Sequence, residues 1–454
     1  MGKLFGTNGV RGFANQDMNG ELALKLGRAL GTFLKQGDVV LVGRDTRTSG
    51  TMLVAALTAG LQSTGVSVVD AGIVTTPALQ YRVKTAQRFA AGAVITASHN
   101  PPEFNGIKFI DPDGTEMRSD KEDAIEAIFF SGKLRDASWR DIGGDAHETG
   151  VNERYVDAIV AKVDAAAIAR AKLTVALDTS NGAGSFTAPF LLRKLGVHVV
   201  TLNAQPDGTF PGHPSEPTPE NVKDLISATK AFGAHLGVVQ DGDADRCVFI
   251  DERGEYVDGN RTLALMAGYA VEKHKGGLVM TPVSSSSIVE EHVKTKGGRV
   301  EYTRVGAPIV ARAMMDKKAT IGGEENGGII WPEFQHCRDA SMTLAKVLEL
   351  LATSGRPFSG LLADLPTAAA AKKKVDCPNE KKAKALDDFA KAHAKDRVDR
   401  TDGVKVYTEE GWVLVRPSGT EPIFRVYAES KTAEQAEALA AKSLAEIRDI
   451  IARS

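Results

Sequence analysis

The chain has almost no net charge: 56 lysines and arginines stand against 58 aspartates and glutamates, leaving −2. No basic face can dominate such a surface, which argues against nucleic acid as a partner. Cysteine is scarce as well. Cys247, Cys337 and Cys377 lie far apart, make no metal-type spacing and cannot all pair, so each is expected to be a small packing residue in a reducing cytoplasm. No apolar run reaches the length of a membrane span, and the opening Met1-Gly2-Lys3-Leu4-Phe5-Gly6 has neither an apolar h-region nor a cleavage site. What remains is a cytoplasmic globular protein with 43% hydrophobic residues. Its 454 residues exceed one ordinary core, so several domains are expected.

One pattern recurs three times. Val39–Val42 is β-branched, turns at Gly43–Gly50, and is followed by a helical face of Met52, Leu53, Ala56, Leu57 and Leu61, then by Thr64–Val69 and the small, apolar run Ala90–Ile95. Leu173–Leu177, Val197–Val200 and Leu236–Val239 repeat the strands. Leu278–Met280, Arg299–Tyr302 and Lys318–Ile321 repeat them again. Strands alternating with helices imply mixed, mostly parallel α/β sheets, which bind ligands at the carboxyl ends of their strands. The remainder differs. Ala369–Lys374 reads as a linker or the first turn of a new element, Asn379–Lys395 as a helix, Gly403–Tyr407, Gly411–Val415 and Phe424–Tyr427 as strands, and Ala433–Ala452 as an amphipathic helix. The expected fold is three tandem α/β domains, at 1–150, 151–253 and 254–368, with a C-terminal α+β domain at 369–454, set around one central cleft.

The loops at the third strands carry the chemistry. Thr96-Ala97-Ser98-His99-Asn100-Pro101 places a serine between a strand and a proline pair that bars a helix. Asp241-Gly242-Asp243-Ala244-Asp245-Arg246 brings three carboxylates within reach of one hard cation such as Mg²⁺. A calcium loop fits positions one, three, five and twelve through Asp241, Asp243, Asp245 and Glu252. It fails at position six, where Arg246 replaces the glycine. Gly322–Gly328 sets Glu324 and Asn326 among glycines, in a loop suited to sugar hydroxyls. Arg416–Pro422 collects Arg416, Ser418, Gly419 and Thr420, with Arg425 beyond, as a phosphate cradle. Gly6–Gly12 supplies Arg11. Lys108, in Asn105-Gly106-Ile107-Lys108, could stand beside Ser98 and move a proton.

In their order and spacing, Thr96–Pro101, Asp241–Arg246, Gly323–Gly328 and Arg416–Pro422 resemble the α-D-phosphohexomutase superfamily over essentially the whole chain. The resemblance implies that Ser98 carries a phosphoryl group, that one Mg²⁺ sits on Asp241, Asp243, Asp245 and that phosphoserine, and that Glu324 and Asn326 contact sugar hydroxyls. It further implies that Arg416, Ser418, Gly419, Thr420 and Arg425 hold the substrate's own phosphate, and that Arg11, Lys108 and Arg246 surround the transferred group, Lys108 as acid/base. The loop holding Arg304 and Gly306 would contribute to sugar choice. The implied activity interconverts hexose 6-phosphate and 1-phosphate through a sugar 1,6-bisphosphate, in a monomer or homodimer. Phe5–Gly12 looks most like phosphoglucosamine mutases. The sugar loop departs from bacterial members, which tend to end it in Ser-Gly-His; Asn326, Gly327 and Gly328 look like archaeal members instead. The competing expectations are a phosphomannomutase/phosphoglucomutase, a phosphoserine-dependent phosphatase, and a non-catalytic sugar-phosphate or calcium sensor.

Overall fold

The computed structural model describes residues 4–6, 8–418 and 421–453, and in it each of the four sequence units builds its own sheet. The first is organised on Ala91–Ile95, all five residues buried. Val39–Arg44 lies parallel on one side and Phe104–Ile110 antiparallel on the other. The second sheet has Thr174–Asp178 between His198–Leu202 and Leu236–Gln240, both parallel, with Cys247–Ile250 returning antiparallel to Leu236–Gln240. The third has Gly277–Pro282 between Gly298–Thr303 and Ile321–Gly323, again parallel, with Ile329–Ile330 antiparallel beyond. These are mixed, mostly parallel sheets. Buried strands need near-continuous apolar residues, which is how these segments read in sequence.

The topology explains why the chemistry gathers where it does. Ile95 faces Ile107, Gln240 faces Cys247 and Gly323 faces Ile329 across antiparallel pairs. Each loop of interest is therefore the connection at which a parallel sheet turns antiparallel, at a carboxyl end of the strands. The fourth loop differs: Pro417 pairs with Phe424 across a hairpin in a sheet whose pairs are all antiparallel. The strands flanking Asp241–Arg246 also remove the helix–loop–helix frame on which the calcium reading depended.

One expectation changes. Ala369–Lys374, read as a linker or the first turn of a new element, lies in a strand, Ala369–Asp376, antiparallel to Ile423–Ser430. Ala371 and Val375 point inward and Lys372 and Lys374 outward, while Lys373, on the inward-facing register, is half-buried. Alanine and lysine carry little β preference, so the period of two was masked by composition.

The first three units share an apolar interior, and the first also has one of its own around Leu26, Leu57 and Phe109. A single apolar cluster runs from Leu41 to Leu365, passing through Tyr155, Leu177, Leu263 and Leu344. The fourth unit has its own, around Phe389, Phe424, Val426 and Ile447. It meets the third through a small seam of Val283, Trp412 and Leu414, where Lys405 Nζ donates to the Val283 carbonyl at 2.8 Å and lies 3.7 Å from the centre of the Trp412 ring. No helix among the described residues is long and apolar enough to cross a membrane.

Candidate active site

Ser98 is buried, and its backbone has φ 52°, a left-handed conformation that costs a serine about 1–2 kcal/mol. Arg47, 1% exposed, supplies what holds it there. Its Nη2 donates to the carbonyls of Ser98 (2.8 Å) and Asn100 (2.5 Å), its Nη1 to those of Pro101 (2.6 Å) and Phe104 (2.7 Å), and its Nε pairs with Asp45 at 3.2 Å. Hydrogen bonds from a charged donor contribute about 1.5–3 kcal/mol each, so four of them outweigh the strain. Thr96 Oγ1 accepts the Ser98 amide at 2.8 Å and donates to Asp45 at 2.6 Å, completing the frame.

The serine meets the acidic loop directly: Ser98 Oγ donates to Asp241 Oδ2 at 2.7 Å. The approach requires Gly242, because a Cβ there would stand 2.7 Å from the Ser98 carbonyl oxygen. Asp241, Asp243 and Asp245 are fully buried and present carboxylate oxygens within 4.8 Å of one another. Their other partners are cations. Lys108 Nζ lies 3.0 Å from Asp243 and 3.6 Å from Asp245; Arg246 Nε lies 3.1 Å from Asp241; Arg338 pairs with Asp245. Thr76 Oγ1 donates to Asp243 Oδ2 at 2.6 Å. Burial pushes the Asp241 carboxyl up to about 7 against the pull of Arg246. Burial acts on Asp243 as well, but Lys108 and Thr76 outweigh it and hold that group below the usual carboxylate range. Burial alone would lower the Lys108 ammonium, yet Asp243 and Asp245 more than offset it, and the group stays charged.

Two buried oxygens, Asp243 Oδ1 and Asp245 Oδ1, have no hydrogen-bond partner. A buried carboxylate oxygen left unpaired is costly, and a divalent cation among the three side chains is what would satisfy both. The donor set, all hard oxygens, suits Mg²⁺.

The other expected residues fall into three places. Arg11 Nη1 donates to Asn100 Oδ1 (2.7 Å) and to the Ala97 carbonyl (3.3 Å), beside the serine. Arg246 also reaches Glu216 through both terminal nitrogens, at 3.3 and 3.2 Å. Glu324 is joined to this cluster through Arg338 Nη1 at 2.8 Å, and Asn326 Oδ1 accepts the Gly328 amide at 3.2 Å within its own loop. Among the described residues, no hydrogen bond or ion pair joins the cradle to the serine cluster. Arg416 Nε donates to Asp402 Oδ2 at 2.6 Å; the same oxygen accepts the Val305 amide at 2.9 Å, between the exposed Arg304 and Gly306, whose φ is 139°. Ser418 Oγ accepts the Glu421 amide at 3.1 Å, and Arg425, opposite Arg416 across the hairpin, pairs with Glu421 at 3.0 Å. Gly419 and Thr420 lie outside the described residues. A cavity of about 630 Å³ opens between the sugar loop and the fourth unit, lined in part by Glu216, Asn260, Glu325, Asn326 and Lys372.

Arg47, Thr76, Glu216 and Arg338 escaped the sequence reading. Only Arg47 left a local signal, as Asp45-Thr46-Arg47 at the end of an apolar strand.

The segment covering the serine loop is itself held by a charged ring. His213 Nδ1 faces the Pro214 carbonyl at 2.7 Å and Nε2 faces Asp178 at 3.2 Å, two acceptors that both require a proton. Burial lowers the ring's pKa, but Asp178 outweighs it and the net shift is upward from 6.5. A raised folded value means that this stabilisation is complete below about pH 6.5 and is lost as pH rises through the raised pKa. Protection of the amides across 206–215, after correction for the intrinsic base-catalysed rate, is therefore expected to fall at alkaline pH. His213→Gln should flatten that dependence; identical pH profiles in the two proteins would exclude the ring as its source.

Four family models match in order: phosphoglucomutase/phosphomannomutase alpha/beta/alpha domain I over residues 2–136, domain II over 153–254, domain III over 258–369, and the C-terminal domain over 373–446. A phosphoglucomutase/phosphomannomutase of Thermococcus kodakarensis is 47% identical over 96% of each chain. A probable phosphoglucosamine mutase of Methanopyrus kandleri is 42% identical over 97% of this chain and 96% of its own. Among solved structures, a phosphoglucomutase/phosphomannomutase family protein of Burkholderia thailandensis superposes with a TM-score of 0.84 at 29% identity, covering 98% of this chain and 96% of its own.

Proposed function

The chain belongs to the phosphoglucomutase/phosphomannomutase family, and from that premise we propose that it is a phosphohexomutase, an isomerase that moves a phosphoryl group between the 6- and 1-positions of a hexose. The observation that carries this is the 2.7 Å hydrogen bond of a buried serine hydroxyl to Asp241, one of three convergent aspartates. The substrate favoured is glucosamine phosphate, on the likeness of Phe5–Gly12 to phosphoglucosamine mutases and on the Methanopyrus relative. Glucose or mannose phosphate is the second reading, favoured by the name of the Thermococcus relative. Domain limits near 150, 253 and 368 go with this reading.

Phosphoserine 98 donates its phosphoryl group to the free hydroxyl of the sugar phosphate. The bond from phosphorus to the serine oxygen breaks as the bond to the sugar oxygen forms, giving the 1,6-bisphosphate, which turns round and returns the other phosphoryl group to Ser98. Asp241, Asp243 and Asp245 would hold Mg²⁺, which neutralises charge on the phosphoryl oxygens when bound. The serine oxygen must gain a proton and the hydroxyl must lose one. Lys108, kept charged by Asp243 and Asp245, supplies the first and, once neutral, can take the second. Arg11 and Arg246 bind the group in transfer, Glu324 and Asn326 the hydroxyls, with Arg304 and Gly306 shaping the choice of sugar. Arg416, Ser418, Gly419, Thr420 and Arg425 hold the phosphate that stays.

Turnover of the 1-phosphates and 6-phosphates of glucosamine, glucose and mannose, measured side by side with and without bisphosphate, tests the reading. Release of inorganic phosphate at the turnover rate would replace it with a phosphatase. Arg416→Ala is expected to raise KM for the sugar phosphate about 10- to 100-fold, the worth of one charged hydrogen-bonding group, with kcat within a few-fold. An unaltered KM would place the cradle elsewhere.

A further inference from the structure

Arg338 stands between two loops that the reaction proposed above uses for different ends. It is 6% exposed; its Nη2 donates to Asp245 Oδ2 and its Nη1 donates to Glu324 Oε2 at 2.8 Å. It reaches both because nothing grows from the Cα of Gly328. A Cβ there would stand 2.2 Å from Cδ of Arg338, 2.9 Å from Cγ and 3.3 Å from Cβ. The loop cannot simply draw back, since the Gly328 amide is tied to Asn326 and its carbonyl accepts the Glu324 amide at 2.9 Å. Nor does the backbone demand glycine, for Gly328 is absent from the residues with positive φ. Space for the arginine stem is what requires it.

We propose that Arg338 is a positioning residue that couples the metal loop to the sugar loop, and that Gly328 is the opening through which it does so. Its bond to Oδ2 of Asp245 offsets part of that carboxylate's charge and so tempers the hold on a cation, which is left Oδ1, an oxygen with no hydrogen-bond partner. By occupying Oε2 of Glu324 it fixes that carboxylate with the other oxygen available to a sugar hydroxyl. The planar fork gives each carboxylate a nitrogen of its own in fixed geometry, where a lysine would bring both to a single nitrogen. The sugar half of the inference rests on the phosphohexomutase reading. The metal half does not.

The test is a calorimetric Mg²⁺ titration of the full chain without sugar, set beside steady-state kinetics. Arg338→Met removes a cation next to Asp245, so Mg²⁺ is expected to bind about 3- to 10-fold more tightly. The same variant should show KM for the sugar phosphate raised about 10-fold or more, because Glu324 is no longer held. A lesion that only damaged the fold would weaken both. Gly328→Ala, which leaves every charge in place and displaces the guanidinium, is expected to move both quantities in the same directions as Arg338→Met. Arg338→Lys should keep Mg²⁺ affinity near that of the parent and still raise KM. Unchanged Mg²⁺ affinity and KM in Gly328→Ala, or weakened Mg²⁺ binding in Arg338→Met, would overturn the proposal. If the parent protein turned over no hexose phosphate, the functional reading would fall, while the Mg²⁺ comparison would still decide the Asp245 half.

Discussion

Ser98→Ala is expected to lower mutase turnover by about 10,000-fold or more, the scale on which loss of a covalent nucleophile acts. The size follows from geometry. The hydroxyl is the group bonded to Asp241 at 2.7 Å, and its backbone is held against strain by the four carbonyl contacts of Arg47. Removing one oxygen leaves that frame intact, because Arg47 touches the serine loop through main-chain atoms only. The variant should therefore fold, melt near the parent's temperature and still bind sugar phosphate with similar affinity. Turnover by the alanine variant within tenfold of the parent would refute the serine as the phosphoryl carrier. Intact-mass measurement gives a second reading: the parent incubated with sugar bisphosphate should gain one phosphoryl group, and the variant none.

Asp243→Asn should have the next largest effect, raising the Mg²⁺ concentration needed for half-maximal activity about 100-fold and cutting kcat by a similar factor. Asparagine keeps the shape of the side chain, and its amide oxygen can still accept from Thr76, but it withdraws a charge from a site where Lys108 depends on it. Chelation of the parent with EDTA should reproduce the loss, and added Mg²⁺ should restore the parent fully and the variant only at high concentration. A Mg²⁺ titration that superimposes on the parent's would remove Asp243 from the metal site.

The strands at the centres of the three sheets were readable because burial on both faces forces continuous apolar residues. The loops were readable as concentrations of reactive residue types. Their shared character as turns from parallel to antiparallel pairing was not, since pairing across Ile95 and Ile107 or Gln240 and Cys247 leaves no mark within either strand. Arg338 was invisible for a related reason. It stands 93 positions from Asp245, and a guanidinium that bridges two loops has no local period. Arg47 donates mainly to backbone carbonyls, which every sequence contains. The strand Ala369–Asp376 was missed because alanine and lysine hide their alternation.

The separate interior of the C-terminal unit has a further meaning. With three units fused through one apolar mass and the fourth leaning on a seam of a few aromatic and aliphatic groups, the molecule divides its labour along a mechanical line. On the proposed reading, the parts that make and break bonds to phosphorus form an anvil, and the part that would grip the far end of the ligand is a separate jaw. Affinity for the substrate's handle can then drift over generations without disturbing the alignment of the reacting atoms, and the jaw can change its bite while the anvil stays as it is.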